Sequence, residues 1–256
     1  MKKPEINLDE RKQIQLEMLV EIDKFCRANN IKYSLAFGTL LGAIRHKGFI
    51  PWDDDVDIMM PLSDMMRVKN EFHSDIVKYI DVDNEKHYKY PFSKFVDLKT
   101  YSVEGFNTKG YGVNIDLYPQ IPLPSDQETF FEEAEKLQEH RLKMLKLRSK
   151  VIFHTPLHTI PGFRNAIRKY RDYLFHDWQS RNSEVYYIVA GPLPLREKMT
   201  YDFDLFSKME ETEFEGKRFM ITSYYDKYLT MRYGDYMQLP PEEDRHPYHG
   251  GRFYWK

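Results

Sequence analysis

The sequence predicts an α/β (α+β) fold, a sheet flanked by helices with a helical elaboration. Three patterns carry that expectation. Asp55-Val56-Asp57-Ile58 alternates acid with apolar residue, and Lys94 to Leu98 and Val113 to Leu117 alternate as well, which is the period of a strand. Asn7 to Asn30 repeats its apolar residues at helical spacing. From Asp126 the chain turns long, charged and helical in pattern, with the next strand candidate at Val185 to Val189.

A chain of 256 residues suits one large domain or a core with an elaboration. The expected division is a single catalytic domain over 1–256: an N-terminal helix over 7–30, a core over 31–125, a helical insertion over 126–182 and the rest of the core over 183–256. Basic side chains number 38 and acidic ones 40, so no global field argues for a nucleic-acid partner. The single Cys26 excludes an internal disulfide and fits a reducing compartment. The start, Met1-Lys2-Lys3-Pro4-Glu5, has no apolar stretch behind its lysines, and no window approaches the ~20 apolar residues of a membrane span. A soluble, cytoplasmic protein is expected.

Taken in order, Asn7 with Glu10 forms a capping box for the first helix, and Ile14, Met18, Leu19, Ile22, Phe25 and Cys26 form its buried stripe. That helix is expected only to cover the sheet. Ile31 to Phe37 reads as a strand, Gly38-Thr39 opens a short helix, and Ile50-Pro51-Trp52 turns into the acidic strand, which Pro61 stops. Leu62 to Tyr79 reads as helix. Gly105, Gly110 and Gly112 suggest a hairpin or loop between the next two strands, and Pro119 to Ser125 is punctuated by proline. Gln127 to Lys150 and Phe163 to Trp178 read as helices. Glu213 to Ile221 reads as a hairpin turning at Glu215-Gly216, and Tyr225 to Tyr233 as a helix closed by Gly234.

The chemistry concentrates around Asp53-Asp54-Asp55-Val56-Asp57. On a strand Asp55 and Asp57 share a face, and two adjacent carboxylates call for a cation; hard oxygens suit Mg2+ or Mn2+. Asp116, which shares a strand face with Asn114, is the best third ligand. Of Asp53 and Asp54, one is expected to hold the Arg45-His46-Lys47 loop and the other to be solvated. The helix start at Gly38 and Thr39 suits a phosphate. Arg45, His46 and Lys47 suit pyrophosphate or an acceptor's phosphate, and Lys94 is a further phosphate ligand. Composition and spacing alone reach metal-dependent phosphoryl or nucleotidyl transfer.

The run GTLLGAIRHKGFIPWDDDVDI resembles the signature of the LicD family of phosphorylcholine transferases, which fukutin and fukutin-related protein share. The resemblance is dense from Tyr33 to Pro61. It continues more thinly through Asn114 to Pro119, Tyr233 to Met237, Pro240-Pro241 and His246. It implies a nucleotidyltransferase-like mixed sheet, with Asp55, Asp57 and Asp116 as its metal-binding, catalytic carboxylates. It implies transfer of phosphorylcholine from CDP-choline to a hydroxyl of a cell-surface glycan precursor of teichoic acid or lipopolysaccharide type, with CMP released. The alternatives are another phospho-alcohol, such as ribitol phosphate from its CDP donor, or a catalytically silent glycan- or membrane-binding protein. A quaternary ammonium is held by aromatic faces; Trp52 is the leading candidate, followed by Tyr111, Tyr118, Tyr236, Tyr248 and Trp255. His246 is expected to close over the site. His246, His249 and Asp244 lack the spacing of a structural zinc site. Finally, Lys136 to Arg171 holds ten basic residues and one acid, Glu139, with apolar residues interleaved. The resemblance implies a glycan or lipid-linked glycan acceptor, and the basic stretch suits either peripheral contact with the anionic inner leaflet or an ordinary helical subdomain whose apolar face packs on the core.

Overall fold

The computed structural model describes residues 4–86, 88–104, 108–151, 162–190, 196–246 and 251–256. The chain divides into two compact units. One comprises Met1–Tyr79, Lys94–Leu117 and Leu205–Lys256; the other comprises Ile80–Ser93 and Tyr118–Asp204. The second unit is wider than the expected insertion over 126–182, because strands and the 80–93 segment join its helices.

The chain begins with β1 (Glu5–Ile6) and α1 (Leu8–Ala28). Asn7 accepts the N–H of Glu10 at 2.9 Å and Glu10 accepts the N–H of Asn7 at 2.9 Å, so the reciprocal cap is formed. Ile14, Met18, Leu19, Ile22 and Cys26 are buried along α1. Next come β2 (Ser34–Leu35), α2 (Phe37–His46), β3 (Asp57–Pro61) and α3 (Leu62–Glu71). β4 (Val77–Ile80), β5 (Ser93–Asp97), β6 (Thr100–Glu104), β7 (Thr108–Lys109) and β8 (Asn114–Pro122) follow. After them come α4 (Gln127–Val151), α5 (Phe163–Phe175), β9 (Tyr186–Ile188), α6 (Arg196–Met199) and β10 (Thr200–Tyr201). The chain closes with β11 (Met209–Phe214), β12 (Lys217–Thr222), α7 (Tyr225–Tyr233) and β13 (Arg252–Trp255). The architecture is α+β and nucleotidyltransferase-like, as expected.

Two expectations are corrected. The strand drawn over Ile31 to Phe37 is only β2, because the Ile31 N–H still bonds back to the Cys26 carbonyl at 2.9 Å and Phe37 already belongs to α2. The helix drawn over Leu62 to Tyr79 stops at Glu71. Phe72 is extended, the Ser74 hydroxyl accepts the N–H groups of Ile76 and Val77, and the β-branched and aromatic residues that follow enter β4. The Glu215-Gly216 turn is present, with φ of 51° and 69°.

In the first unit β2, β3 and β8 lie side by side, β2 and β3 antiparallel with Ser34 opposite Met59 and Leu35 opposite Ile58. β5 pairs with β8 and with β4. A separate sheet runs β1-β13-β6-β7. Val56, Ile58, Ile115 and Leu117 are fully buried, and on β8 the alternate residues Asn114 and Asp116 take the polar face; β3 begins only at Asp57, so Asp55 and Val56, expected on the strand, precede it. Gly112 has no room for a side chain: a Cβ there would stand 2.3 Å from the Asp97 carbonyl.

In the second unit β9 pairs antiparallel with the later part of β8, Gln120 opposite Ile188, and with β10. The strand runs on through Pro119, whose carbonyl accepts the Val189 N–H at 3.0 Å. Phe163, Ile167, Tyr170 and Leu174 of α5 are buried. Arg141, Arg164, Arg168 and Arg171 of the basic stretch serve this packing. Arg141 donates to the Lys89 carbonyl, Arg164 to the Val82 carbonyl, and Arg168 and Arg171 pair with Asp83. Ile152 and Phe153 lie outside the described residues. Among the described residues no helix is long and apolar enough to cross a membrane.

Candidate active site

The junction of β2, α2 and β3 builds the site. Phe37 begins α2 with φ of 46°, a left-handed conformation that a bulky residue adopts only under constraint. Its N–H donates to the Tyr228 hydroxyl at 3.3 Å, and Arg232 covers its ring at 4.1 Å. Gly38 follows, and its lack of a side chain leaves room for Asp53: a Cβ would stand 2.5 Å from Oδ2 of Asp53 and displace that carboxylate. Thr39 accepts the Asp57 N–H on its hydroxyl at 2.9 Å, and the Ala36 N–H donates to the Asp57 carbonyl at 2.9 Å. The main chain of Asp57 is thereby held on both sides. The Asp116 N–H donates to the Val56 carbonyl at 2.9 Å, which sets β8 against the acidic segment.

Asp53, Asp54 and Asp55 each bring a carboxylate oxygen within 4.8 Å of the others. Asp57 is buried, and its Oδ1 has no hydrogen-bond partner. Burial holds the Asp57 carboxyl well above its ordinary pKa; the charges of Asp55, Asp116 and Asp53 add to the shift, and Lys94 opposes it. Asp53 is pushed up to about 7, by burial first and by the charge of Asp55 next. Two cations pair directly with the cluster, and Lys12 faces Asp53 and Asp54 from further off. Lys94, buried on β5, pairs with Asp116, which also accepts the side-chain amide of Asn114 at 2.9 Å. Arg11 pairs with Asp54 at 3.2 Å, both nearly buried. Five carboxylates against Lys94, Arg11 and the more distant Lys12, with a buried oxygen lacking a partner, form a hard-oxygen donor set that fits a divalent ion.

The structure therefore brings Asp55, Asp57 and Asp116 into one electrostatic cluster and adds Asp53 to it. Asp54 is neither solvated nor bound to the Arg45 loop, as one of the two was expected to be. It meets a partner 43 residues away that no local spacing reveals. The first helix is also more than a cover. Besides Arg11, it supplies Lys12, which donates to the Ile50 and Pro51 carbonyls, and Gln15, which donates to the Asn114 carbonyl.

Of the predicted phosphate ligands, Gly38 lies in the first turn of α2 and Arg45 in its last, about 10 Å apart along the axis by the helical rise. Arg45 donates to the carbonyls of Tyr236 (2.8 Å) and Gln238 (3.1 Å). Lys47 ends α2 in the left-handed region, its carbonyl accepting the Glu215 N–H at 2.9 Å. His46 meets Trp52 edge-on at 6.4 Å, and the face of Trp52 carries the Arg245 guanidinium at 5.6 Å. His46 has a lowered pKa, from burial and then from Arg45. His246 is exposed. Of the other aromatic candidates, Tyr118 packs on Phe92 at 4.6 Å in the second unit, Trp255 lies on β13, and Tyr248, like His249, is outside the described residues. Arg45, Trp52, Tyr233, Tyr236, Gln238 and Arg245 line a cavity of about 700 Å³.

A family profile described as "LicD/FKTN/FKRP, nucleotidyltransferase domain" matches residues 30–166, which take in Gly38, the acidic segment, Lys94 and Asp116. The chain belongs to this family. Over nearly its whole length it is similar to a LicD protein of Haemophilus influenzae, named lipopolysaccharide cholinephosphotransferase. The identity is 26% over 259 residues, covering 95% of this chain and 96% of the relative. An uncharacterized protein of Rickettsia typhi is 46% identical over 52 residues, 20% of this chain and 17% of its own. One of Rickettsia prowazekii is 50% identical over 42 residues, 16% of each chain. These short matches say nothing of activity.

Proposed function

We propose that this LicD-family chain is a phosphotransferase that moves phosphorylcholine from CDP-choline to a hydroxyl of a lipopolysaccharide-type cell-surface glycan. The observation that carries the reading is the carboxylate cluster with the buried, unpartnered Oδ1 of Asp57. The Haemophilus relative's name supports the phosphorylcholine group and the acceptor class. Asp55, Asp57 and Asp116, with Asp53 beside them, would hold Mg2+ or Mn2+. When bound there, the ion supplies neutralisation of phosphate charge and a lowered pKa for the attacking hydroxyl.

The chain's own residues do the positioning. Thr39 fixes the main chain of Asp57, Lys94 orients Asp116, and Arg11 holds Asp54 turned into the protein. The acceptor oxygen forms the new bond to phosphorus, its proton is released, and the bond to the CMP oxygen breaks. The same reading keeps the protein inside the cell, where its nucleotide donor would be. CMP release from CDP-choline and CDP-ribitol, with and without Mg2+, tests it. Mg2+-dependent release from CDP-choline in the presence of a lipopolysaccharide acceptor is expected. Turnover with CDP-ribitol alone would transfer the reading to ribitol phosphate, and no turnover with any donor would favour a silent binding protein.

A further inference from the structure

The carboxylate cluster does not account for the cavity beside it. We propose that this cavity is the acceptor subsite and takes a sugar bearing a phosphate or carboxylate group. The inference rests on the reading of the chain as a transferase acting on a glycan.

Charge comes first. Arg45 and Arg245 both line the cavity. Among the described residues Arg45 pairs with no carboxylate; the carbonyls of Tyr236 and Gln238 satisfy its N–H groups without cancelling its charge. Arg245 donates to the Pro240 carbonyl at 2.9 Å, and the carboxylate facing it, Glu242, stands 4.0 Å away on a side chain 90% exposed. An ion pair so open to water is strongly screened. Asp235, the carboxylate that also lines the cavity, is exposed, so the two guanidinium groups share one wall with no buried counter-ion. The pKa of Arg45 is lowered, by burial and then by Arg245, so the two cations act on each other. An anionic ligand relieves that repulsion through charge-assisted hydrogen bonds.

The same wall argues against choline here. A quaternary ammonium needs an aromatic face, and the face of Trp52 already carries Arg245. What remains suits a sugar ring: aromatic surfaces of Tyr233, 40% exposed, and Tyr236, with the Gln238 amide beside them. Trp52 ties the cavity to the acidic segment: it lines the wall, and Asp53 follows it in the chain. A sugar seated here would have a hydroxyl beside the segment at which it accepts phosphorylcholine.

Calorimetry on the full chain tests this with glucose 6-phosphate, glucuronate and glucose as probes and CDP as the donor-side control. Both anionic sugars should bind, and glucose should bind at least about tenfold more weakly, the scale of losing one hydrogen bond to a charged group. Arg245→Gln should remove that preference, Arg245→Lys should restore part of it, and CDP affinity should stay unchanged in both. A thermal melt confirms that each variant is folded, and Tyr236→Leu provides a second variant that keeps both arginines and should weaken all three sugars. Equal binding of the three sugars, or an undiminished preference in Arg245→Gln, overturns the proposal. Parallel loss of CDP affinity assigns the cavity to the donor and also overturns it. Because binding is read without turnover, failure here is distinct from an absence of CMP release.

Discussion

Gly38→Ala separates the chemistry of the site from the stability of the fold. The added methyl would stand 2.5 Å from Asp53 Oδ2 and 3.5 Å from its Cγ. Ordinary contact is near 3.5 Å, so the carboxylate oxygen must retreat by about 1 Å. It can do so by side-chain rotation, at a cost of about 0.5–1.5 kcal/mol. Alanine in a helix recovers up to about 1 kcal/mol over glycine, and Gly38 is not among the residues with positive φ. The two terms nearly cancel, so the melting temperature should hardly move. Catalysis should suffer, since a displacement of about 1 Å among reacting groups costs on the order of 10²-fold. Gly42→Ala provides the contrast. Its methyl would meet the Gly48 carbonyl at 2.5 Å and the Ile50 nitrogen at 3.3 Å, both main chain that no rotamer moves. Overpacking of that kind costs about 1–3 kcal/mol. Thermal melts, Mn2+ titration and CMP release on both variants provide the readout. A Gly38→Ala protein with wild-type turnover and Mn2+ affinity would refute the reasoning, as would one that simply unfolds.

Three further outcomes follow from the same geometry. Arg11→Ala strands the buried Asp54 carboxylate and should destabilise the protein by about 3–5 kcal/mol in urea; a loss under 1 kcal/mol would mean the pair is solvated. Without metal, the raised pKa of Asp53, about 7 against an ordinary 3.8, contributes stability fully present below pH 4 and lost as pH rises through 7. By linkage the loss is on the order of 4 kcal/mol. In EDTA, Asp53→Asn should therefore gain on wild type between pH 5 and 7.5, with added Mg2+ closing the gap; parallel curves would remove Asp53 from the cluster. Asp57→Asn should lower turnover by at least about 10²-fold while raising metal-free stability, because it removes a buried, repelled charge; near-normal CMP release would take Asp57 out of the chemistry.

What the sequence determined by itself is local. The Asn7–Glu10 cap, the shared face of Asn114 and Asp116 and the Glu215-Gly216 turn each depend on residues a few positions apart. Backbone periodicity settles such features before anything packs. Where a local pattern was ambiguous, as after Glu71, an apolar run that fits a helix also fits a strand, and its neighbours decided. The site needed more. Spacing shows which face a side chain lies on, not what stands opposite. Asp54 meets Arg11 across 43 residues, Asp116 meets Lys94 across 22, and Arg45 meets the Tyr236 carbonyl across 191. Only the folded chain brings those partners together. That is why the acids could be named from the sequence, whereas their counter-charges, the raised pKa of Asp53 and the arginine-lined cavity came from the tertiary structure.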